Sequence, residues 1–211
     1  MLDLIVSQNA KDSVFIPFSS AFVYGNTSKG NIKENDYQHF EITSYLSAYI
    51  EAKRAAETLS AAYSKQYGIK TVFPRFSGAF GSGAEEQNTA IGSFFSDAIY
   101  KRDIVMKSDG QDKGDYCYLS DSVTGLFYCL FYGQNSEAYN IANTECFLSR
   151  LEFVEKIADI AKVGIVRNVE TALKPTIARG ARFDNTKLRA LGWKPKVSPE
   201  DGIERLIRSV L

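Results

Sequence analysis

Ser47-Ala-Tyr-Ile-Glu-Ala-Lys-Arg-Ala-Ala-Glu57 decides how the rest of this chain is read. Nearly all of its residues are good helix formers, so the stretch reads as helix. Tyr49 and Lys53 lie four apart in it, which places a phenol and an ammonium one above the other on a single helical face. A phenol titrates near ~10 in water, too high for a base at neutral pH. A fixed neighbouring cation favours the phenolate, so such a pair is suited to passing the proton of an alcohol. With 12 Tyr in 211 residues, one Tyr-x-x-x-Lys match also arises by chance. Taken alone, the same stretch reads as an amphipathic helix with a solvated lysine.

The flanks separate these readings. Val14-Phe-Ile-Pro-Phe-Ser-Ser-Ala-Phe-Val-Tyr-Gly25 reads as an apolar strand over 14–24 carrying paired serines. Gly68-Ile-Lys-Thr-Val-Phe-Pro-Arg-Phe-Ser-Gly78 holds a second buried strand over 70–76. Strand, Ser-Ser-x-x-Val-Tyr-Gly, helix with Tyr-x-x-x-Lys, strand with Arg: this order resembles the extended short-chain dehydrogenase/reductase family, chiefly nucleotide-sugar epimerases and dehydratases. The resemblance implies an α/β fold, a partial Rossmann-like doubly wound parallel sheet with a smaller C-terminal mixed α/β substrate-binding domain. It implies Ser20, Tyr49 and Lys53 as catalytic groups. It also implies a nicotinamide cofactor, NAD with NADP as the alternative, held by Ser19, Tyr49, Lys53, Arg75 and Phe76. For Ser20 the physical role fits, because a hydroxyl at the C-terminal tip of a parallel strand faces the ligand crevice of an open α/β sheet. Ser20 also reads as a turn serine, and Ser19 as one that satisfies local backbone groups.

Composition sets the outer bounds. Lys and Arg number 25 against 25 Asp and Glu, which leaves no electrostatic footprint for nucleic acid or an anionic membrane. No apolar run reaches membrane-spanning length. The opening Met-Leu-Asp-Leu-Ile-Val-Ser lacks the basic segment of a secretory leader, so a cytoplasmic location is expected. Cys117, Cys129 and Cys146 are too widely spaced for a zinc site, and three thiols suit a reducing compartment. His39, the one histidine, falls in a polar loop and reads as a surface residue; no metal is expected.

In order along the chain, residues 1–10 read as the end of a helix, 25–44 as a polar surface loop, and 46–66 as the long helix. The Ala52, Ala55, Ala56, Leu59 and Ala62 face of that helix is small, which permits close packing on its own sheet. The resemblance adds a homodimer through the same helix. No Gly-x-Gly-x-x-Gly follows a strand; Gly78-Ala-Phe-Gly81-Ser-Gly83 follows the wrong one. The chain therefore reads as the C-terminal two-thirds of such an enzyme. Residues 1–80 are expected to be the latter part of the dinucleotide-binding domain. Residues 81–211 are expected to form mostly the nucleotide-sugar domain, with 115–145 returning to the sheet. A helix is expected over 88–100, where Lys101-Arg102 suits the helix dipole and reads as a second candidate for a phosphate.

Ser108-Asp-Gly-Gln-Asp-Lys-Gly-Asp-Tyr-Cys-Tyr-Leu-Ser-Asp121 resembles the family's Gly-Asp-Gly-Gln-x-x-Arg-Asp-Phe-x-Tyr-Val-x-Asp. Gly114 stands in the place of the family's diphosphate-binding Arg, so Lys113 is the substitute. Gly78 stands where relatives carry a substrate-contacting Asn. Asp121 reads as a helix cap, Ser149 as the cap of a helix over 150–161, and Trp193 as packing in the small domain. Of the later cations, Lys174 and Arg179 are the candidates for the diphosphate, Arg179 favoured because a guanidinium grips phosphate bidentately. The substrate set is thus Ser20, Gly78, Lys113, Lys174 and Arg179.

The residues after Ser20 narrow the chemistry. Dehydratases resembling this chain carry an Asp-Glu pair there, and decarboxylases a Glu; this chain has Ala21 and Phe22, which transfer no proton. The expected activity is NAD-dependent C4 epimerisation of a nucleotide sugar through a keto intermediate, with little or no turnover by this chain alone. The alternatives are an NADPH-linked keto-sugar reductase, a 4,6-dehydratase, or a non-enzymatic binding or assembly module.

Overall fold

The computed structural model describes residues 1–10, 12–25, 30–45, 47–87, 89–168 and 180–210. After helix α1 (Leu2–Ser7), the chain enters strands β1 (Val14–Phe15) and β2 (Ser19–Ser20) and a 3-10 turn (Ala21–Tyr24). The expected single strand over 14–24 is thus broken. Pro17 offers no N–H to a ladder, and the chain leaves the sheet around it. β3 (Asn31–Ile32) precedes the long helix α2 (Ser47–Tyr67), and β4 (Lys70–Phe76) and β5 (Gly78–Phe80) follow.

β4 is the central strand. β1 and β2 pair one of its edges, Val14 with Lys70 and Ser20 with Phe76, both parallel. The second half of the chain runs α3 (Ala90–Ile99), β6 (Ile104–Met106), β7 (Lys113–Tyr118), α4 (Leu119–Tyr132) and β8 (Glu137–Ile141). β8 pairs the other edge of β4, parallel, from Val72 opposite Glu137 to Phe76 opposite Ile141.

Alternation along β4 shows why both faces are covered. Val72 packs with Cys129 of α4, while Arg75, of opposite parity, meets Glu57 of α2. The helices therefore lie on opposite faces of a parallel sheet, the doubly wound arrangement of a Rossmann-like fold.

The remainder is β9 (Phe147–Ser149), α5 (Arg150–Ala161), β10 (Ile165–Arg167), β11 (Arg182–Phe183), α6 (Thr186–Ala190) and α7 (Pro199–Val210). β7 lies between β5, which it pairs in parallel, and β9, which it pairs antiparallel. β10 pairs β6 and β11 pairs β3, both parallel. A second core forms where Phe80, Phe95, Tyr116 and Phe153 meet the inner faces of α3, α5 and α7. Tyr116 and Phe153 stack with centroids 4.0 Å apart. Ser149 starts α5 with a full capping box to Glu152.

Two expectations are corrected here. Asp121 lies in the first turn of α4 and does not cap it. Its Oδ2 accepts the N–H groups of Lys196 and Val197 at 3.0 and 2.9 Å, pinning the C-terminal turn to the helix. Trp193 packs on the parallel-sheet side, with Val72, Cys129, Tyr139 and Ile141, because that turn carries it back to α4. Its indole N–H reaches Thr124 Oγ1 at 3.2 Å.

Candidate active site

The C-terminal ends of β2 and β4 open into a cavity of about 560 Å³. Ser19 and Ser20 from β2, Tyr49 and Lys53 from α2, Phe76 from β4, Gly78 from β5 and Lys113 from β7 all line it. Four separated segments are thus brought to one place.

Lys53 bridges helix and strand. Its Nζ donates to the Phe18 carbonyl at 2.6 Å and lies 5.6 Å from the centre of the Tyr49 ring. An ammonium has three N–H donors, so this bond leaves others for a ligand. Tyr49 is 49% exposed, and its ring meets Phe22 edge-on at 6.1 Å. Ser20 Oγ accepts the Phe22 N–H at 3.2 Å, starting the 3-10 turn, and the residue lines the cavity. No acceptor for its own proton is found among the described residues. Ser19 is corrected in detail, because its hydroxyl donates to the Glu57 carboxylate and not to local backbone.

Arg75 is not where the resemblance put it. Its guanidinium is buried on the α2 side of the sheet and does not line the cavity. Nε and Nη2 donate to Glu57, Nη1 to Tyr24 Oη and the Glu34 carbonyl, and Nη2 to Tyr37 Oη. All five of its donors are taken, so the side chain has none left for a cofactor. The physical reason is strand parity: the face of β4 that carries Arg75 is the face that α2 covers.

Gly78 is a place of close approach. A Cβ there would stand 2.9 Å from the Asp115 carbonyl, so the β5–β7 pairing favours a residue without one. Lys113 is exposed on the opposite wall, with its carbonyl taken by the Gly180 N–H. Lys174 and Arg179 lie outside the described residues. Lys101 and Arg102 do not line the cavity; they bond the Ala161 carbonyl and Asp97.

Among the lining groups that the sequence reading did not place in the site, three matter here. Arg150, the first residue of α5, adds a cation to the wall that holds Lys113. Phe183 supplies an apolar side, and its N–H donates to Asp115 Oδ2 at 2.7 Å. Asp115 is the third: it is buried and lines the cavity, and its Oδ1 has no partner among the described residues. Burial pushes its carboxyl up to about 7, although the Phe183 N–H and Arg182 pull the other way. The motif around Asp115 was legible, but nothing local marks one carboxyl as unpaired. Among the described residues no cluster of His, Cys, Asp and Glu is arranged to hold a metal ion.

A family model described as the NAD dependent epimerase/dehydratase family matches residues 1–142. The chain belongs to the NAD dependent epimerase/dehydratase family. UDP-glucuronic acid decarboxylase 5 of Arabidopsis thaliana is 28% identical over 188 residues, covering 88% of this chain and 54% of the relative. Among solved structures, UDP-glucose 4-epimerase of Thermotoga maritima with UDP-glucose superposes with a TM-score of 0.87 at 22% identity, covering 99% of this chain and 66% of that one. The dTDP-glucose 4,6-dehydratase of Bacillus anthracis in complex with NAD gives a TM-score of 0.80 at 20% identity, covering 98% and 64%. These likenesses fix the epimerase/dehydratase fold. The chain spans about half the length, 54%, of the plant family member it matches.

Proposed function

We propose that this chain carries the catalytic groups and the sugar cavity of a nucleotide-sugar epimerase working at C4. The observation that supports this reading best is the makeup of the wall beside Ser20. Ala21 and Phe22 line the cavity there, next to Tyr49, and neither transfers a proton. Dehydration and decarboxylation ask for an acid or base near the carbon being changed. Epimerisation asks only for a group that takes and returns one alcohol proton.

Tyr49 takes the proton from the C4 hydroxyl and later gives it back. Ser20 donates its own O–H to the same oxygen and so holds it against the phenol. Lys53, fixed by the Phe18 carbonyl, holds its ammonium 5.6 Å from the centre of the Tyr49 ring. The keto sugar formed in between presents either face to the same three groups. Lys113 and Arg150 are the described cations of the cavity for the diphosphate.

The residues present fit the nicotinamide-ribose end of NAD, with NADP as the alternative. Lys53 and Tyr49 offer polar groups to a ribose, and the Phe18 and Phe76 rings, 5.5 Å apart and tilted by 55°, add apolar surface. When bound, NAD supplies the acceptor and then the donor of the C4 hydride. The 211 residues carry no Gly-x-Gly-x-x-Gly after a strand. The outward small face of α2, with Ala52, Ala55, Leu59 and Ala62 all exposed, supports a homodimer through that helix.

Single-turnover mixtures test the reading, with the chain in excess over labelled UDP-glucose, dTDP-glucose or GDP-mannose and with NAD saturating. The expected product, however slowly formed, is the C4 epimer. A 4-keto-6-deoxy sugar as product would sink the epimerase assignment in favour of a dehydratase.

A further inference from the structure

We propose that Asp115 reads the sugar: its unpaired carboxylate oxygen accepts a hydrogen bond from a hydroxyl of the bound nucleotide sugar and so sets which sugars the cavity takes. This rests on the nucleotide-sugar reading above. Asp115 is only 2% exposed, yet it lines the cavity. One oxygen is held by the Phe183 N–H, which fixes the side chain in one orientation. The other has no partner among the described residues.

Folding gains nothing from that second oxygen. β7 is held by its own ladders, Tyr116 opposite Gly78 and Asp115 opposite Phe147, and neither needs the Asp115 side chain. A buried carboxylate with an empty acceptor is a cost to the fold, and buried polar groups are otherwise almost always paired. Such a cost is characteristic of a position kept for a ligand.

The chemistry of the partner follows. Once ionised, above about pH 7, the carboxylate only accepts hydrogen bonds and repels a second anion, so its partner is a donor that carries no negative charge. Of the cations, Lys113 and Arg150 suit the diphosphate, Lys53 lies by the phenol, and Arg182 lies near Asp115 outside the cavity lining. Asp112 is the other lining carboxylate. Sugar hydroxyls are the donors that a nucleotide sugar brings. A site built to bond a hydroxyl discriminates strongly when the bond is not made.

Asp115→Asn tests this in the full 211-residue chain. It keeps the shape and an oxygen for the Phe183 N–H, but turns the free acceptor into an N–H donor. Calorimetry would compare UDP-glucose, dTDP-glucose and GDP-mannose with UDP, dTDP and GDP alone. The expected result is about a tenfold loss of affinity for the sugar nucleotide that binds, with the matching diphosphate unchanged. Equal sugar affinity in both proteins would overturn the role of Asp115 and leave the nucleotide-sugar reading standing. A parallel loss for the diphosphate would also overturn it, as a general disturbance of the cavity. Wild-type protein that binds none of the sugars would remove the nucleotide-sugar reading and this inference together. A second measurement needs no variant: the Asp115 carboxyl carbon signal of the wild type should shift with the sugar nucleotide and not with the diphosphate, and equal shifts would overturn the proposal.

Discussion

Arg75 and Glu57 meet fork to fork beneath the cavity, with Nε to Oε1 at 2.9 Å and Nη2 to Oε2 at 2.6 Å. The same carboxylate accepts the Ser19 hydroxyl. One ion pair therefore ties the helix of Tyr49 and Lys53 to the strand end that carries Ser20. Apart from Ile50, the other buried residues of α2 are the serines Ser47, Ser60 and Ser64. The pair contributes to registering the helix where a larger protein core would use apolar side chains.

Removing one member leaves the other charge buried. Glu57→Ala should cost about 3–5 kcal/mol in urea unfolding, while the joint replacement Arg75→Met with Glu57→Leu should cost less than either single change. A double variant that loses the sum of the two single losses would show that the pair has no coupling.

Tyr49 should separate stability from chemistry. No hydrogen bond to its phenol oxygen is found among the described residues, and the ring is half-exposed. Tyr49→Phe is expected to leave the urea midpoint within ~0.5 kcal/mol of wild type. Any sugar turnover should fall by a factor of about 10² or more. Lys53→Met should do both, losing turnover and also about 1–2 kcal/mol through the bond to the Phe18 carbonyl.

Asp115 makes the pH dependence of stability testable. Its carboxyl is raised from 3.8 to about 7 in the fold, chiefly by burial. Between those values the folded chain holds a proton that the unfolded chain has released. Its contribution is therefore complete below about pH 4 and is lost as pH rises toward 7, a span worth at most ~4 kcal/mol. Melting curves of wild type and Asp115→Asn should match most closely near pH 4. By pH 8 the variant should be the more stable. Parallel curves across that range would mean that the carboxyl is not buried uncompensated.

The outer face of α2 carries the prediction about assembly. Leu59 is 58% exposed, among alanines. If this face joins two copies, Leu59→Arg should shift sedimentation from dimer to monomer without lowering the unfolding midpoint of the monomer by more than about 0.5 kcal/mol. An unchanged sedimentation profile would place the contact elsewhere.

Much of this was legible in the residues. The spacing of Tyr49 and Lys53 is a property of one helix, and Ser20 at a strand end follows from local pattern, so their meeting could be read in advance. Arg75 could not, because its direction depends on which face of β4 each helix covers, a matter of tertiary arrangement. The break at Pro17 was signalled by the proline itself, yet the apolar run around it argued for a continuous strand. Asp115 was legible as a motif residue and illegible as an unpaired one, since pairing depends on Phe183, far along the chain. Likewise the small face with Ala52, Ala55 and Leu59 reads both as packing on its own sheet and as a dimer face, and which of its residues look outward depends on where the sheet lies.

The short strand that ends at Ser20 has an evolutionary implication. Ladder pairing to β4 stops at that serine, and the next residues belong to a 3-10 turn on the cavity wall. Exchanging the side chains at 21 and 22 thus alters the chemistry of the cavity wall without disturbing a rung of the sheet. On the proposed function, a scaffold wired this way lets descendants trade one reaction for another while inheriting the same proton carrier.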